Sequence, residues 1–92
     1  MSIEYKFTFN YSDEGKLSSY IKGMPYFEKY DRENFAFIFR KVGRNHPDAV
    51  IRIHDIGIFL NDYLTDIGRE LTGLLVEHIT GIYGEVIIDE ID

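Results

Sequence analysis

Residues 62–83, DYLTDIGRELTGLLVEHITGIY, form the segment that decides the fold. Its apolar side chains recur every three or four positions and trace one stripe, which is the pattern of an amphipathic helix. Asn61 or Asp62 can cap the start of this helix, and Gly84 can cap its end. The apolar stripe consists of Leu64, Ile67, Leu71, Leu74, Leu75, His78, Ile79 and Ile82.

The segments on either side of this helix have the patterns of strands and of one shorter helix. Strict alternation of apolar and polar side chains predicts a half-buried strand, and branched or aromatic runs predict others. We predict strands over residues 3–11, 35–42, 49–54 and 85–91, and a short helix within residues 13–24. Residues 26–30 are a candidate short strand, and residues 55–61 are interpreted as a strand extension after a bulge at Gly57.

The resulting order is strand, helix, strand, strand, helix, strand. Two helices on one face of an antiparallel sheet give a two-layer α+β sandwich, and this βαββαβ order predicts a ferredoxin-like arrangement. The alternative is a meander of four or five strands with one long helix, which applies if residues 13–24 are not helical.

Composition indicates one globular domain over residues 1–92. A chain of 92 residues and 10.8 kDa has room for a single core, and 45% apolar residues exclude a disordered acidic tail. The absence of cysteine excludes disulfides and thiolate metal sites. Short apolar runs and an N-terminus without a basic, apolar leader predict a cytoplasmic protein with no membrane interaction.

The net charge of −6 is unevenly distributed along the chain. Residues 1–52 hold nine basic and seven acidic side chains, a net charge of +2. Residues 53–92 hold one basic and nine acidic side chains, a net charge of −8. An acidic half repels nucleic-acid backbones and attracts basic proteins. The alternative is a charged surface that only keeps the protein soluble.

The long helix predicts a partner-binding face. Gly73 lies on its outer side, where no core contact explains a glycine, so we interpret it as a shallow dip in an acidic ridge. We expect a partner's basic side chain or backbone to approach the helix there. The alternative is that Gly73 is a neutral defect of the helix. Gly68, on the inner side, lets the helix approach the sheet closely. The residues predicted to bind a partner are Asp62, Tyr63, Asp66, Glu70, Gly73 and Glu77, with Tyr63 as an aromatic anchor.

The uncovered face of the predicted sheet is a second candidate surface. If Phe37 and Ile51 face the helices, their strand neighbours face outward and form a small apolar centre with a polar rim. Sheet pairing between two copies would bury this centre, although an exposed and unused face is equally consistent with it. The residues predicted to support such a homodimer are Ile38, Arg40, Arg52 and Ile87.

The sequence contains no phosphate-binding loop, no nucleophile elbow and no H-E-x-x-H motif. A catalytic site would require His54 to converge with Asp55 or Asp48, and a metal site would also require His46. Adjacent residues such as His54 and Asp55 point in different directions, so neither requirement is met by sequence alone. His78 falls on the apolar stripe and is predicted to be a core or boundary histidine. We therefore predict no enzyme activity, no cofactor and no metal.

Function is predicted from the remaining features. Four basic residues surround one hairpin, but their attraction for a nucleic-acid backbone is weak when the overall charge is −6. We therefore predict no nucleic-acid binding. The size, the charge and the lack of catalytic motifs favour an inhibitor or immunity-type protein that binds a basic protein through the acidic helix face. The alternative is a homo-oligomeric ligand-binding or regulatory domain paired through its open sheet face.

Overall fold

The structure, a computed structural model, describes residues 2–91 and contains two helices and six strands. It belongs to the α+β class, as predicted. The short helix predicted within 13–24 is present, so the one-helix meander is excluded. In chain order the elements are β1 (Ile3–Thr8), α1 (Glu14–Lys22), β2 (Phe27–Asp31), β3 (Ala36–Phe39), β4 (Ala49–His54), β5 (Gly57–Asp62), α2 (Asp66–Tyr83) and β6 (Ile87–Ile91).

The strands form one sheet in the order β2-β3-β4-β5-β1-β6, and every neighbouring pair is antiparallel. The predicted ferredoxin-like βαββαβ order is therefore not reproduced, because the sheet has six strands. One added strand is β2, which the sequence marked only as a candidate. The other is β5, which was predicted as an extension of β4.

β5 is a separate strand because the chain reverses between residues 54 and 57. His54 pairs with Gly57, so Asp55 and Ile56 form a two-residue hairpin turn. Gly57 has φ +153°, and a Cβ built on it would lie 1.8 Å from the backbone oxygen of Phe7 in β1. Only glycine fits this close approach between two backbones, so what the sequence suggested as a bulge is the start of a new strand.

Both helices pack on one face of the sheet around a single core. Phe7 of β1, Ile51 of β4 and Leu60 of β5 are fully buried, as are Ile21 of α1 and Leu75 of α2. Ile51 lies opposite Leu60, and Phe7 lies opposite Ile58, two residues before Leu60, so all of them share one face of the sheet. Within residues 2–91, the opposite face of the sheet carries no helix.

α2 begins at Asp66, four residues later than the apolar stripe predicts. Leu64 has φ +63°, which helical backbone does not allow, and Thr65 is extended. The hydroxyl of Thr65 accepts a hydrogen bond from the backbone N–H of Gly68 at 3.0 Å and caps the helix. The predicted close approach at Gly68 is confirmed, since an added Cβ would lie 2.5 Å from Asp62 Oδ1 and 2.6 Å from the backbone oxygen of Asp48.

Neither helix within residues 2–91 combines the length and the apolar character needed to cross a lipid bilayer.

Candidate protein-binding face of helix α2

Four of the six residues predicted to bind a partner lie in a line on the exposed side of α2. Asp66, Glu70, Gly73 and Glu77 are all exposed, and their spacing of four, three and four residues places them on one helical face. We call these four residues the acidic stripe. A Cβ added at Gly73 would have no heavy atom within 4 Å in the described part of the chain, so the stripe has a gap at its middle.

Asp62 does not belong to this surface, so the prediction that it binds a partner is corrected. Its side chain is on the inner face at the end of β5 and is only 3% exposed. Its carboxylate accepts hydrogen bonds from the backbone N–H of Leu64 at 2.8 Å and from Thr72 Oγ1 at 3.1 Å. Asp62 therefore holds the turn before α2 against the helix, and a partner cannot contact it.

Asp66 lies at the N-terminal end of the stripe and is paired within the molecule. Its Oδ1 accepts a hydrogen bond from Arg44 at 3.0 Å, and this contact lowers the pKa of Asp66 below its ordinary value. Among residues 2–91, Glu70 and Glu77 form no ion pair. The unneutralised charge of the stripe therefore comes from Glu70 and Glu77.

Arg44 and Asp48 link the β3–β4 loop to the start of α2. Asp48 is fully buried, and its carboxylate accepts hydrogen bonds from Arg44 at 2.8 Å, from the backbone N–H of Lys41 at 2.9 Å and from Thr65 Oγ1. Each of its oxygens is thus satisfied, which a buried carboxylate requires. Sequence reasoning treated Asp48 only as a possible neighbour of His54. No sequence signal marks this pair, because Arg44 and Asp48 lie in a loop, where i, i+4 spacing does not bring side chains together as it does on a helix.

Tyr63 lines an open cleft next to the N-terminal end of the acidic stripe. The cleft has a volume of about 770 Å³ and is formed by the β3–β4 loop and the turn before α2. Its other lining residues include Arg44, His46, Pro47 and Thr65. Tyr63 is partly exposed there, so the proposed anchor and Asp66 adjoin one concave surface.

A shallow groove between α1 and α2 borders the other end of the stripe. It has a volume of about 320 Å³, and Glu77 forms part of its wall. Ile82, which the predicted apolar stripe includes, is 62% exposed at this groove. Gly81 lies beside it with nothing within 4 Å of an added Cβ among the described residues. The groove thus offers apolar surface next to an unpaired carboxylate.

The floor of this groove is the contact between the two helices. The Tyr20 and His78 rings stack face to face, with an interplanar angle of 2°. Burial lowers the pKa of His78, which lies at the boundary of the core, as the sequence predicts. Burial, and secondarily the charge of Glu77, raises the pKa of the Tyr20 hydroxyl.

The residues predicted for self-association do not form one patch. The pairing register places Ile38, Arg52 and Ile87 on the open face of the sheet. Four strand spacings separate Ile38 in β3 from Ile87 in β6, which is about 19 Å. Arg40 pairs with Glu28, and Arg52 donates a hydrogen bond to the backbone oxygen of Asn34 at 3.3 Å.

The centre of the open face is Phe59, which sequence reasoning missed. Phe59 is partly exposed and pairs with Arg52 on one side and Lys6 on the other. No signal identified it, because the strand that carries it was not recognised as separate.

The catalytic and metal hypotheses require side chains that the fold keeps apart. His54 and Asp48 lie at opposite ends of β4, six residues or about 20 Å apart. His54 Nδ1 accepts a hydrogen bond from the backbone N–H of Ile56 at 3.3 Å, and Asp55 is exposed in the turn. Within residues 2–91, no three His, Asp or Glu side chains converge as a metal ion requires.

The chain matches no family model, no curated protein and no solved structure. No activity or partner is therefore transferred to it from a relative. Function is therefore inferred from the surfaces of the chain itself. The outer face of α2 combines charged side chains, exposed apolar area and glycines that leave the helix backbone uncovered.

Proposed function

We propose that this protein is a small protein-binding module that binds a basic protein through the outer face of α2. The observation that carries the proposal is the double position of Glu77, which ends the acidic stripe and also borders the groove containing Ile82. An apolar centre beside a charged border is the composition of a protein interface. The sharper form of the proposal is a cytoplasmic inhibitor or immunity-type protein, whose action consists of covering its target.

Each part of the face has a distinct role in this proposal. Glu70 and Glu77 attract the basic partner over distance, since their charges are not neutralised by ion pairs within the described residues. Ile82 and Tyr63 bury apolar area on contact. Gly73 and Gly81 let the partner's backbone approach the helix, because neither carries a side chain in the way. Asp66 is positioned by Arg44 and contributes less to attraction than the sequence suggests.

The test uses the basic protein that the wild type captures from a lysate. It measures how fast this partner associates with charge-reversed variants. Glu70→Lys with Glu77→Lys should slow association about tenfold at low salt, and the rate of the variant should depend less on salt. Asp89→Lys with Glu90→Lys makes the same change in net charge on exposed positions of β6 and is the matched control. If both double variants slow association equally, only net charge matters and the α2 face is not the binding site.

The second candidate is a homo-oligomer paired through the open sheet face, and the exposure of Phe59 at its centre favours it. Two such faces would bury the two Phe59 rings together. This candidate predicts a dimer in sedimentation equilibrium that Phe59→Lys or Ile38→Lys dissociates and Glu77→Lys leaves intact. A monomer at all concentrations contradicts it.

A further inference from the structure

The sheet is wider than the two helices that cover it. Six strands spaced about 4.8 Å apart span roughly 24 Å, whereas two helices side by side cover about 20 Å. The uncovered strip lies beside α1, at the β2 and β3 end of the sheet. A pocket of about 350 Å³ opens there, and Phe37 and Ile53 of the inner face are part of its lining.

One wall of this pocket is aromatic. The Tyr30 and Phe37 rings lie 4.7 Å apart, and Phe35 stands beside them with 68% of its surface exposed. The stability of this end of the sheet does not explain all three rings, since the burial of Phe35 contributes little to the core.

Phe35 also has an unfavourable backbone conformation. Its φ is +53°, in the left-handed region that favours glycine or asparagine over a bulky side chain. Hydrogen bonds within the hairpin hold the loop in this shape, because Asp31 accepts from the backbone N–H of Glu33 at 3.0 Å and from Asn34 Nδ2 at 2.8 Å. A large aromatic that is both strained and exposed is not explained by stability, and such strain is typical of functional positions.

The opposite wall is polar and is formed by α1. Glu14, Ser18 and Lys22 follow one another at intervals of four residues, so they share the helix face that borders the pocket. The ammonium of Lys22 lies 5.9 Å from the centre of the Tyr30 ring. In the described part of the chain Lys22 forms no ion pair, so its charge is free to meet an anion beside the rings. Glu14 is eight residues away, about 12 Å along the helix, at the far end of the pocket.

We propose that this pocket binds a small carboxylate that carries an aromatic ring. The ligand ring stacks against Phe35 and Tyr30, and its carboxylate accepts hydrogen bonds from Lys22 and Ser18. A volume of about 350 Å³ is within the range of small-molecule sites. An aromatic cation is disfavoured, because the ammonium of Lys22 already faces the Tyr30 ring. The site is separate from the proposed partner-binding face of α2 and does not depend on it.

The test is an NMR titration of the ¹⁵N-labelled protein with phenylacetate, compared with neutral phenylacetamide and cationic phenethylammonium. A ligand of this size is expected to bind with a dissociation constant of the order of 1 mM. Phenylacetate should shift the amide signals of residues 18, 22, 30 and 35 and bind at least about tenfold more tightly than phenethylammonium. Absent or scattered shifts, or tighter binding of the cation, would overturn the proposal.

Two variants separate binding from folding. Phe35→Asn suits the left-handed backbone better than phenylalanine, so it should preserve or raise stability while weakening phenylacetate binding at least about tenfold. Lys22→Gln keeps the helix and should remove the preference for phenylacetate over phenylacetamide. If Phe35→Asn binds phenylacetate as the wild type does, or if Lys22→Gln keeps the preference, the pocket is not an aromatic carboxylate site.

Discussion

Two glycines of α2 that look alike in the sequence should respond in opposite ways to the same substitution. Gly68 and Gly73 both lie inside the helix, where alanine is favoured over glycine by about 1 kcal/mol. At Gly73 a Cβ meets nothing within 4 Å among the described residues, so Gly73→Ala should gain this amount. At Gly68 the same methyl group would lie 2.5 Å from Asp62 Oδ1 and 2.6 Å from the backbone oxygen of Asp48.

The penalty at Gly68 comes from packing and from polar contacts. Inserting a methyl group into a filled site costs about 1–3 kcal/mol, and the backbone oxygen of Asp48 cannot rotate away. Moving the Asp62 carboxylate also strains its hydrogen bonds to Leu64 and Thr72, each worth about 1 kcal/mol. After the helix gain is subtracted, we expect Gly68→Ala to lower the free energy of unfolding by about 2 kcal/mol.

Urea denaturation followed by circular dichroism measures both effects. With a denaturant slope of about 1 kcal/mol per M, the midpoint should rise by about 1 M in Gly73→Ala and fall by about 2 M in Gly68→Ala. Equal shifts of the same sign would refute the packing of α2 against Asp48 and Asp62. Gly73→Ala should at the same time weaken partner binding, because its methyl group fills the gap in the acidic stripe.

Four further substitutions test the network around Arg44, the contact between the helices and the groove. Asp48→Asn should lower the free energy of unfolding by about 2–4 kcal/mol because Arg44 loses a buried charged partner. Asp66→Asn, which removes the exposed partner of the same arginine, should cost less in urea titrations. Because burial lowers the pKa of His78, the unfolded chain takes up a proton below about pH 6.5 that the folded chain does not. The free energy of unfolding should therefore fall as the pH drops below this value. His78→Phe should make this pH dependence weaker, as measured by thermal melts at several pH values. Ile82→Ser should leave the urea midpoint within about 0.5 M of the wild type and weaken partner binding, and a large loss of stability would place Ile82 in the core.

Much of the fold follows from side-chain periodicity. The alternation in residues 3–11 predicts β1, which the structure ends at Thr8, and the burial of Phe7 and Phe9; the stripe of α2 predicts the burial of Leu71 and Leu75. β5 was missed as a separate strand because its turn, Asp55-Ile56, lacks the residues typical of a tight hairpin. The reason for Gly57 is a contact with β1, fifty residues earlier, which no local pattern reveals.

The candidate site was predictable only in part. Helical geometry alone places Asp66, Glu70, Gly73 and Glu77 on one exposed line. The burial of Asp62 depends on where α2 begins, and the positive φ of Leu64 that delays it has no clear sequence signal. The groove at Ile82 depends on how α1 and α2 lie side by side, which is a tertiary property.

The most direct test of the α2 face compares three forms of the protein as baits in a lysate of the organism that makes it. The forms are the wild type, Glu77→Lys and Asp89→Lys. The two variants make the same change in net charge, the first on α2 and the second on the open face of the sheet. Captured proteins are quantified after washing at about 0.05 M and 0.5 M salt, which weakly and strongly screen surface charge. The proposal predicts a basic protein held by the wild type and Asp89→Lys and lost by Glu77→Lys, most clearly at the lower salt, where surface charge is least screened. Equal capture by all three forms, or loss only in Asp89→Lys, would contradict it.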